Sequence, residues 1–190
     1  MKRILLLVLF VCFASTFVAF ADDHEVRTSN FSSNSSFWLN SGKKDGDWNF
    51  TIGGRGNRLG LELGFVVNHE TPDDMLDYAI PHTGYTDKGW KDNGGLGLDL
   101  LTFINSDDVN IDMLPFKFSL YGGLGVYWME ESHVVQSTVT GWNYQQKTKD
   151  TTKYPYSYGI QFLGNERNSL MISIGYHELR GANIGLGILY

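Results

Sequence analysis

Apolar residues recur at every second position along much of this chain, and helical spacing is hard to find after Ala21. The clearest run is Arg58 to Asn68, where Leu59, Leu61, Leu63, Phe65 and Val67 share one face and Gly60, Glu62, Gly64 and Val66 the other. In Phe116 to Trp128, Phe116, Phe118, Leu120, Leu124, Val126 and Trp128 oppose Lys117, Ser119, Tyr121, Gly123, Gly125 and Tyr127. Ser169 to His177 sets Leu170, Ile172, Ile174 and Tyr176 against Met171, Ser173, Gly175 and His177. The last run sets Ile184, Leu186, Ile188 and Tyr190 against Gly185, Gly187 and Leu189. Alternation of this length predicts strands whose two faces meet different environments. Weaker alternation over 34–41, 48–54, 95–104 and 154–162 brings the series to eight strands. Val134 to Val139 either extends one of them or forms a loop hairpin.

The expected connections differ in length. The first, 42–47, is moderate, and the second, Arg55-Gly56-Asn57, is tight. The third, 69–93, and the fifth, 130–153, are long and polar. The fourth, 105–114, holds Asp107, Asp108 and Asp112; the sixth, 164–168, and the seventh, 180–182, are short. Both very long loops are odd-numbered, so an up-and-down meander places them at the same end of the sheet.

The chain opens with Lys2 and Arg3, an apolar run from Ile4 to Phe20, and the small-x-small pattern Ala19-Phe20-Ala21. That order describes a secretory signal peptide over 1–21, followed by a polar leader over 22–33 and a barrel over 34–190. An uncleaved anchor is the alternative, since about 18 apolar residues can just span a bilayer. Cys12 does not read as a lipid-anchor site, because Val11 is too large before it and the apolar run continues past it.

Composition narrows the field. A chain of 190 residues with net charge −6 suits one domain and offers no basic surface for nucleic acid. Without residues 1–21 it has 169 residues, with 13 Lys+Arg against 21 Asp+Glu (net −8), and no cysteine. Disulfides and Cys-ligated zinc or iron–sulfur sites are then excluded. All 22 glycines remain, nearly twice the ordinary share for a chain of this length.

One face of nearly every strand is apolar, while the other carries Gly, Ser, Tyr and charge. A soluble barrel turns the apolar face inward; a membrane barrel turns it to lipid and fills its lumen with the polar face. Mixed charges on the polar face, namely Glu62, Asp99, Lys117 and His177, fit a paired interior network, with Tyr121, Tyr127, Asn49 and Arg55 beside them. Aromatics collect at strand ends: Trp48, Trp128, Tyr154, Tyr156 and Tyr176 at the long-loop end, and Phe116, Phe162 and Tyr190 at the other. Two such girdles are expected at lipid–water boundaries.

Ala19-Phe20-Ala21, the segment Tyr121-Gly122-Gly123-Leu124-Gly125-Val126-Tyr127 and the terminal strand Asn183 to Tyr190 together resemble the small bacterial outer-membrane β-barrels, the family of OmpX and the OmpA transmembrane domain. The resemblance covers essentially the whole chain after the leader and rests on pattern more than on residue-specific motifs. It implies an all-β, eight-stranded antiparallel up-and-down transmembrane β-barrel in the bacterial outer membrane, with short periplasmic turns and long extracellular loops. It also implies outer-membrane lipid and lipopolysaccharide as surroundings. The aromatic terminal strand looks like the signal read by the barrel assembly machinery. An interior of eight strands is just wide enough to be filled by side chains, which disfavours a general porin.

Candidate chemistry is sparse. Outer-membrane lipid A deacylases pair a wall histidine with a serine two residues later; after His177 that position is Leu179. Ser173 shares the face of His177, but four residues of strand is about 13 Å. His69, Glu70, Asp73, Asp74, Asp77 and His82 in the third loop could gather round a divalent cation, although solvated acidic loops are the commoner case. Gly53-Gly54-Arg55-Gly56 has no helix after it to hold a phosphate. No cofactor or metal is expected. The leading expectation is a non-enzymatic barrel with a role in envelope integrity or surface recognition through loops 69–93 and 130–153. A lipid-modifying enzyme and a soluble, lipocalin-like binder are the alternatives; the last requires Leu61, Leu124 and Ile172 inside, with Glu62 and Lys117 facing water.

Overall fold

The computed structural model describes residues 35–67, 76, 84–109, 116–164 and 169–189. The expected signal peptide, the polar leader 22–33, most of the third loop and Tyr190 lie outside the described residues. Nine strands are present among them: β1 (Ser36–Lys44), β2 (Asp47–Arg55), β3 (Leu59–Val66), β4 (Tyr85–Asn105), β5 (Lys117–Ser137), β6 (Asn143–Lys153), β7 (Tyr156–Leu163), β8 (Leu170–His177) and β9 (Gly181–Leu189). β6 and β7 form one wall strand. Across their junction both pair with β5 in one register, Tyr127 opposite Lys153 and Leu124 opposite Tyr156; the register shifts only farther up, between His133 and Val134. The interruption falls at Tyr154-Pro155, where proline has no N–H for the ladder, though its carbonyl still accepts from the Gly125 N–H at 2.8 Å.

Every pairing between these strands is antiparallel, β9 returns to β1, and β4 closes on β5, so the sheet is an eight-stranded up-and-down barrel. Its stagger can be read from one row of paired residues. The row leaves β4 at Gly97 and passes through Gly64, Thr51, Asn40, Gly185, Ser173, Gln161 and Ser119, returning to β4 at Asn105, eight residues along. Eight strands with a shear of eight tilt by about 36° and enclose a lumen that side chains fill.

The alternating faces sort as the sequence pattern predicts. Leu59, Phe65, Leu124, Ile172 and Ile184 point outward and are exposed, whereas Glu62, Asp99, Tyr127, Ser173 and His177 point inward and are buried. This is opposite to the arrangement a soluble apolar-ligand barrel requires. Inside, Trp38, Leu101, Phe103, Tyr121, Leu163, Met171 and Leu189 form one apolar layer, and Val66, Tyr127, Met129 and Leu179 a second. The high glycine content has a spatial cause here. A Cβ at Gly53 would stand 2.5 Å from the Trp38 indole, one at Gly64 or Gly97 would collide with the Tyr127 ring, and one at Gly159 or Gly175 with Tyr121. Large rings fit a narrow lumen because glycine faces them from the adjoining strands.

Two expectations about the connections are corrected. The connection expected over 42–47 is the two-residue turn Asp45-Gly46, with φ of 53° and 104°, the backbone that right-twisted hairpins favour. The stretches 85–93 and 130–153, expected as loop, are largely strand. β4 and β5 run paired from Asn105–Ser119 out to Tyr85–Ser137, and β6 pairs along the upper half of β5. Val134 and Val135 thus extend β5, and the hairpin turn is residues 138–142. The result is a three-stranded fin rising from one side of the rim, while the far side of the same rim ends at the tight turns Asp45-Gly46 and 178–180.

Candidate functional site

Between the two apolar layers lies a hydrogen-bonded array drawn from five walls of the barrel. Glu62 of β3 accepts from Trp38 Nε1 at 2.8 Å and from Asn40 Nδ2 at 3.0 Å, both on β1. Asp99 of β4 accepts from the Tyr127 hydroxyl of β5 at 2.6 Å and meets His177 Nε2 of β8 at 3.1 Å. Arg180, from the turn after β8, joins the halves: one terminal nitrogen lies 2.6 Å from Glu62 and 3.0 Å from Asp99. The backbone N–H of Leu179 donates to His177 Nδ1 at 3.1 Å. That donor leaves Nδ1 as the acceptor, so Nε2 carries the proton and donates to Asp99. Glu62, Asp99, His177 and Arg180 are all buried.

Of the four residues expected in a lumen network, the structure therefore brings Glu62, Asp99 and His177 together. Lys117 stands apart, at the end of the barrel away from the fin, with its ammonium 2.9 Å from Asp107 and both groups partly exposed. Beside it Arg58 pairs with Asp108 at 2.9 Å. The Asn105 N–H and the Arg58 guanidinium hold the Asp108 carboxyl below its ordinary range. Arg180 is the member the sequence reading missed. Two inward carboxylates require a cation, and the tight turn was the place to look. Gly181, at φ 73°, reverses the chain so that Arg180 folds back into the lumen. Arg55 lies in the other half of the lumen, its guanidinium 4.3 Å from the Phe103 ring centre and one nitrogen 3.1 Å from Ser119 Oγ.

Both nitrogens of His177 are engaged, one by a carboxylate and one by a backbone N–H, and neither is hydrogen-bonded to a serine, although Ser157 is its register partner on β7. The arrangement holds charge in place; it presents no nucleophile–base pair.

Of the residues expected in an aromatic girdle, Trp48, Trp128, Tyr154 and Tyr156 are exposed and Tyr176 is half-exposed. Tyr156, Tyr158 and Tyr176 pack as a triangle with ring centres 5.7–6.3 Å apart. Beyond this level a second polar chain crosses the fin. Lys153 lies 2.6 Å from Asp92 and 3.6 Å from Glu131; Lys149 lies 3.0 Å from Glu131. Burial pushes the Glu131 carboxyl up, but the hydrogen bond and charge of Lys149, with Lys153 and Thr151, outweigh it and hold the group below its ordinary range. The Lys149 ammonium also sits 4.1 Å from the centre of a Trp90 ring, which packs on His133, itself 2.9 Å from Asp87. β6 has β5 as its ladder partner on one side; on the other, Leu76 bridges Tyr144 in parallel sense, its N–H bonded to Asn143 O at 3.0 Å.

No family model matches the chain, and no curated protein matches it. Among solved structures, a match is the crystal structure of Ail, the attachment invasion locus protein of Yersinia pestis, in complex with the heparin analogue sucrose octasulfate. The two are 16% identical; the match covers 82% of this chain and 92% of that one, with a TM-score of 0.31. A likeness that loose assigns neither fold nor function; the closed barrel is read from this chain's own strand register.

Proposed function

We propose that this chain is an integral outer-membrane β-barrel of the bacterial envelope, non-enzymatic, whose β4–β5–β6 fin serves as a surface-recognition element outside the cell. The observation that carries this reading is the continuation of one wall as a paired, three-stranded sheet beyond the aromatic band. The exterior supports the membrane assignment: large apolar side chains from every wall are exposed, far beyond what a soluble surface carries. The packed lumen supports a display role over transport, since both apolar layers span it. The engaged ring nitrogens of His177 speak against acyl-transfer chemistry. On this reading the fin end is extracellular and the Arg58–Asp108 end periplasmic. Outer-membrane lipid and lipopolysaccharide surround the exterior, and the barrel assembly machinery reads β9.

The only cysteine of the chain is Cys12, within the expected signal peptide, so single cysteines can report topology. Thr140→Cys, at the fin turn, is expected to react with a membrane-impermeant maleimide on intact cells, and Val109→Cys only after the envelope is opened. Unboiled protein from the outer-membrane fraction is expected to migrate differently from boiled protein. Recovery as soluble periplasmic material, or equal labelling of both cysteines on intact cells, overturns the reading.

A further inference from the structure

The Leu179 N–H at 3.1 Å from His177 Nδ1 fixes more than a tautomer. An imidazolium carries a proton on both nitrogens, and a proton on Nδ1 faces that N–H donor to donor. His177 therefore accepts a second proton only if Leu179 withdraws. Leu179 belongs to the turn 178–180, which is also held by Arg180 N–H to His177 O at 3.2 Å and by Lys44 Nζ to Glu178 O at 2.9 Å. The same turn delivers Arg180, the cation shared by Glu62 and Asp99.

Charge counting gives the driving force. With neutral His177, two carboxylates share one guanidinium and the array holds a net negative charge. Protonating His177 supplies the missing positive charge while Nε2–H stays on Asp99. Among the described residues, the groups facing His177 are Glu62 from β3, Asp99 from β4, Tyr127 from β5 at 5.1 Å between rings, Ser157 directly opposite on β7, and Arg180 from the turn. The next charged layer is Lys153 between Asp92 and Glu131.

We propose that His177 and the turn 178–180 form an acid-sensitive latch: a solvent proton taken up at Nδ1 expels the Leu179 N–H, releases the turn, and lets the imidazolium replace Arg180 as the counter-charge of Asp99. Release withdraws Leu179 from its contacts with Val66, Tyr127 and Met129 and frees the link from Lys44 to Glu178 at the low rim. The turn is closed while His177 is neutral and opens when acid converts it to an imidazolium.

The test uses the full-length barrel folded in detergent micelles, with NMR of the His177 ring nitrogens and of amide exchange from pH 7.5 to 5. Leu179 amide protection is expected to fall at least tenfold in step with imidazolium formation, while the Gly125 amide in β5 keeps its protection. His177→Gln, which does not titrate, is expected to abolish the step. The latch is overturned if His177 stays neutral down to pH 5, or if it becomes imidazolium with Leu179 still protected. It is equally overturned if Gly125 loses protection together with Leu179, which marks global unfolding, or if His177→Gln shows the same step.

Discussion

The barrel lumen and the fin share three strands and are held by different physics. β4 and β5 pass through both without a break, and the ladder between them is continuous apart from bulges near Gly89 and Gly94. Within the barrel, inward side chains reach across to other walls; Asp99 is fully buried and touched by residues of β5, β8 and the turn after it. Along the fin, Ser132, Val134, Val135 and Ser137 of β5 are buried, but β6 is largely exposed and the ion pairs of Lys149 and Lys153 are partly exposed. The same type of contact, carboxylate to cation, is therefore worth different amounts a few residues apart. Removing one partner of a buried pair strands a charge without water, at about 3–5 kcal/mol. An exposed pair is screened and contributes about 0–1 kcal/mol.

That contrast can be broken most sharply at Arg180. Arg180→Met leaves Glu62 and Asp99 without their shared cation, and we expect a loss of about 3–5 kcal/mol in urea unfolding from micelles. The double variant with Glu62→Gln is expected to recover part of it; equal losses in single and double variants would sink the charge argument. Next in size is overpacking of the lumen. Gly97→Ala drives a methyl into the Tyr127 ring and should cost about 1–3 kcal/mol, with the cost relieved by Tyr127→Ala in the same chain. Both changes should lower the temperature at which unboiled protein loses its folded gel mobility.

On the fin, Glu131→Gln is expected to change barrel stability by less than about 1 kcal/mol. Its effect should instead be a faster protease cut near residues 138–142 at unchanged barrel mobility; a loss comparable to that of Arg180→Met would erase the distinction between the regions. The smallest effect is the pH dependence of the same staple. The Glu131 carboxyl is held below its usual value of 4.5, so the folded fin takes up a proton less readily than the unfolded chain. Its stabilisation is fully present above that value and is lost as pH falls below it. Protease susceptibility of the fin is therefore expected to rise below about pH 4.5 in the parent chain and to be flatter in Glu131→Gln.

The two regions also differed in how much of them the sequence disclosed. The eight barrel strands were legible, four clearly and four by weaker alternation, because each has an exposed apolar face and a packed inner one, and residues such as Leu59 and Gly60 alternate between the two. In the fin, β6 is largely exposed, so its sequence, Asn-Tyr-Gln-Gln-Lys-Thr-Lys-Asp-Thr-Thr-Lys, carries no apolar period and looks like loop. Its ladder hydrogen bonds leave no trace in hydropathy. Glu62, Asp99 and His177 were visible as polar interruptions on inward positions. Lys117 looked equivalent by parity, but parity gives the face and not the height along the barrel, and the residue lies at the rim with Asp107. Arg180 was hidden because a turn has no period to break.

The unbroken run of β5 from Lys117 to Ser137 has a mechanical consequence. Ladder hydrogen bonds lie perpendicular to their strands. A pull on the fin turn directed away from the barrel is thus applied along β5, and its bonds to β4, β6 and β7 are loaded side by side, in shear, instead of being opened one after another. Tension applied at the tip enters the wall that carries Tyr127 and, through it, Asp99. The fin is anchored along the whole length of β5, so that such a load is shared across the ladder instead of peeling it from the base.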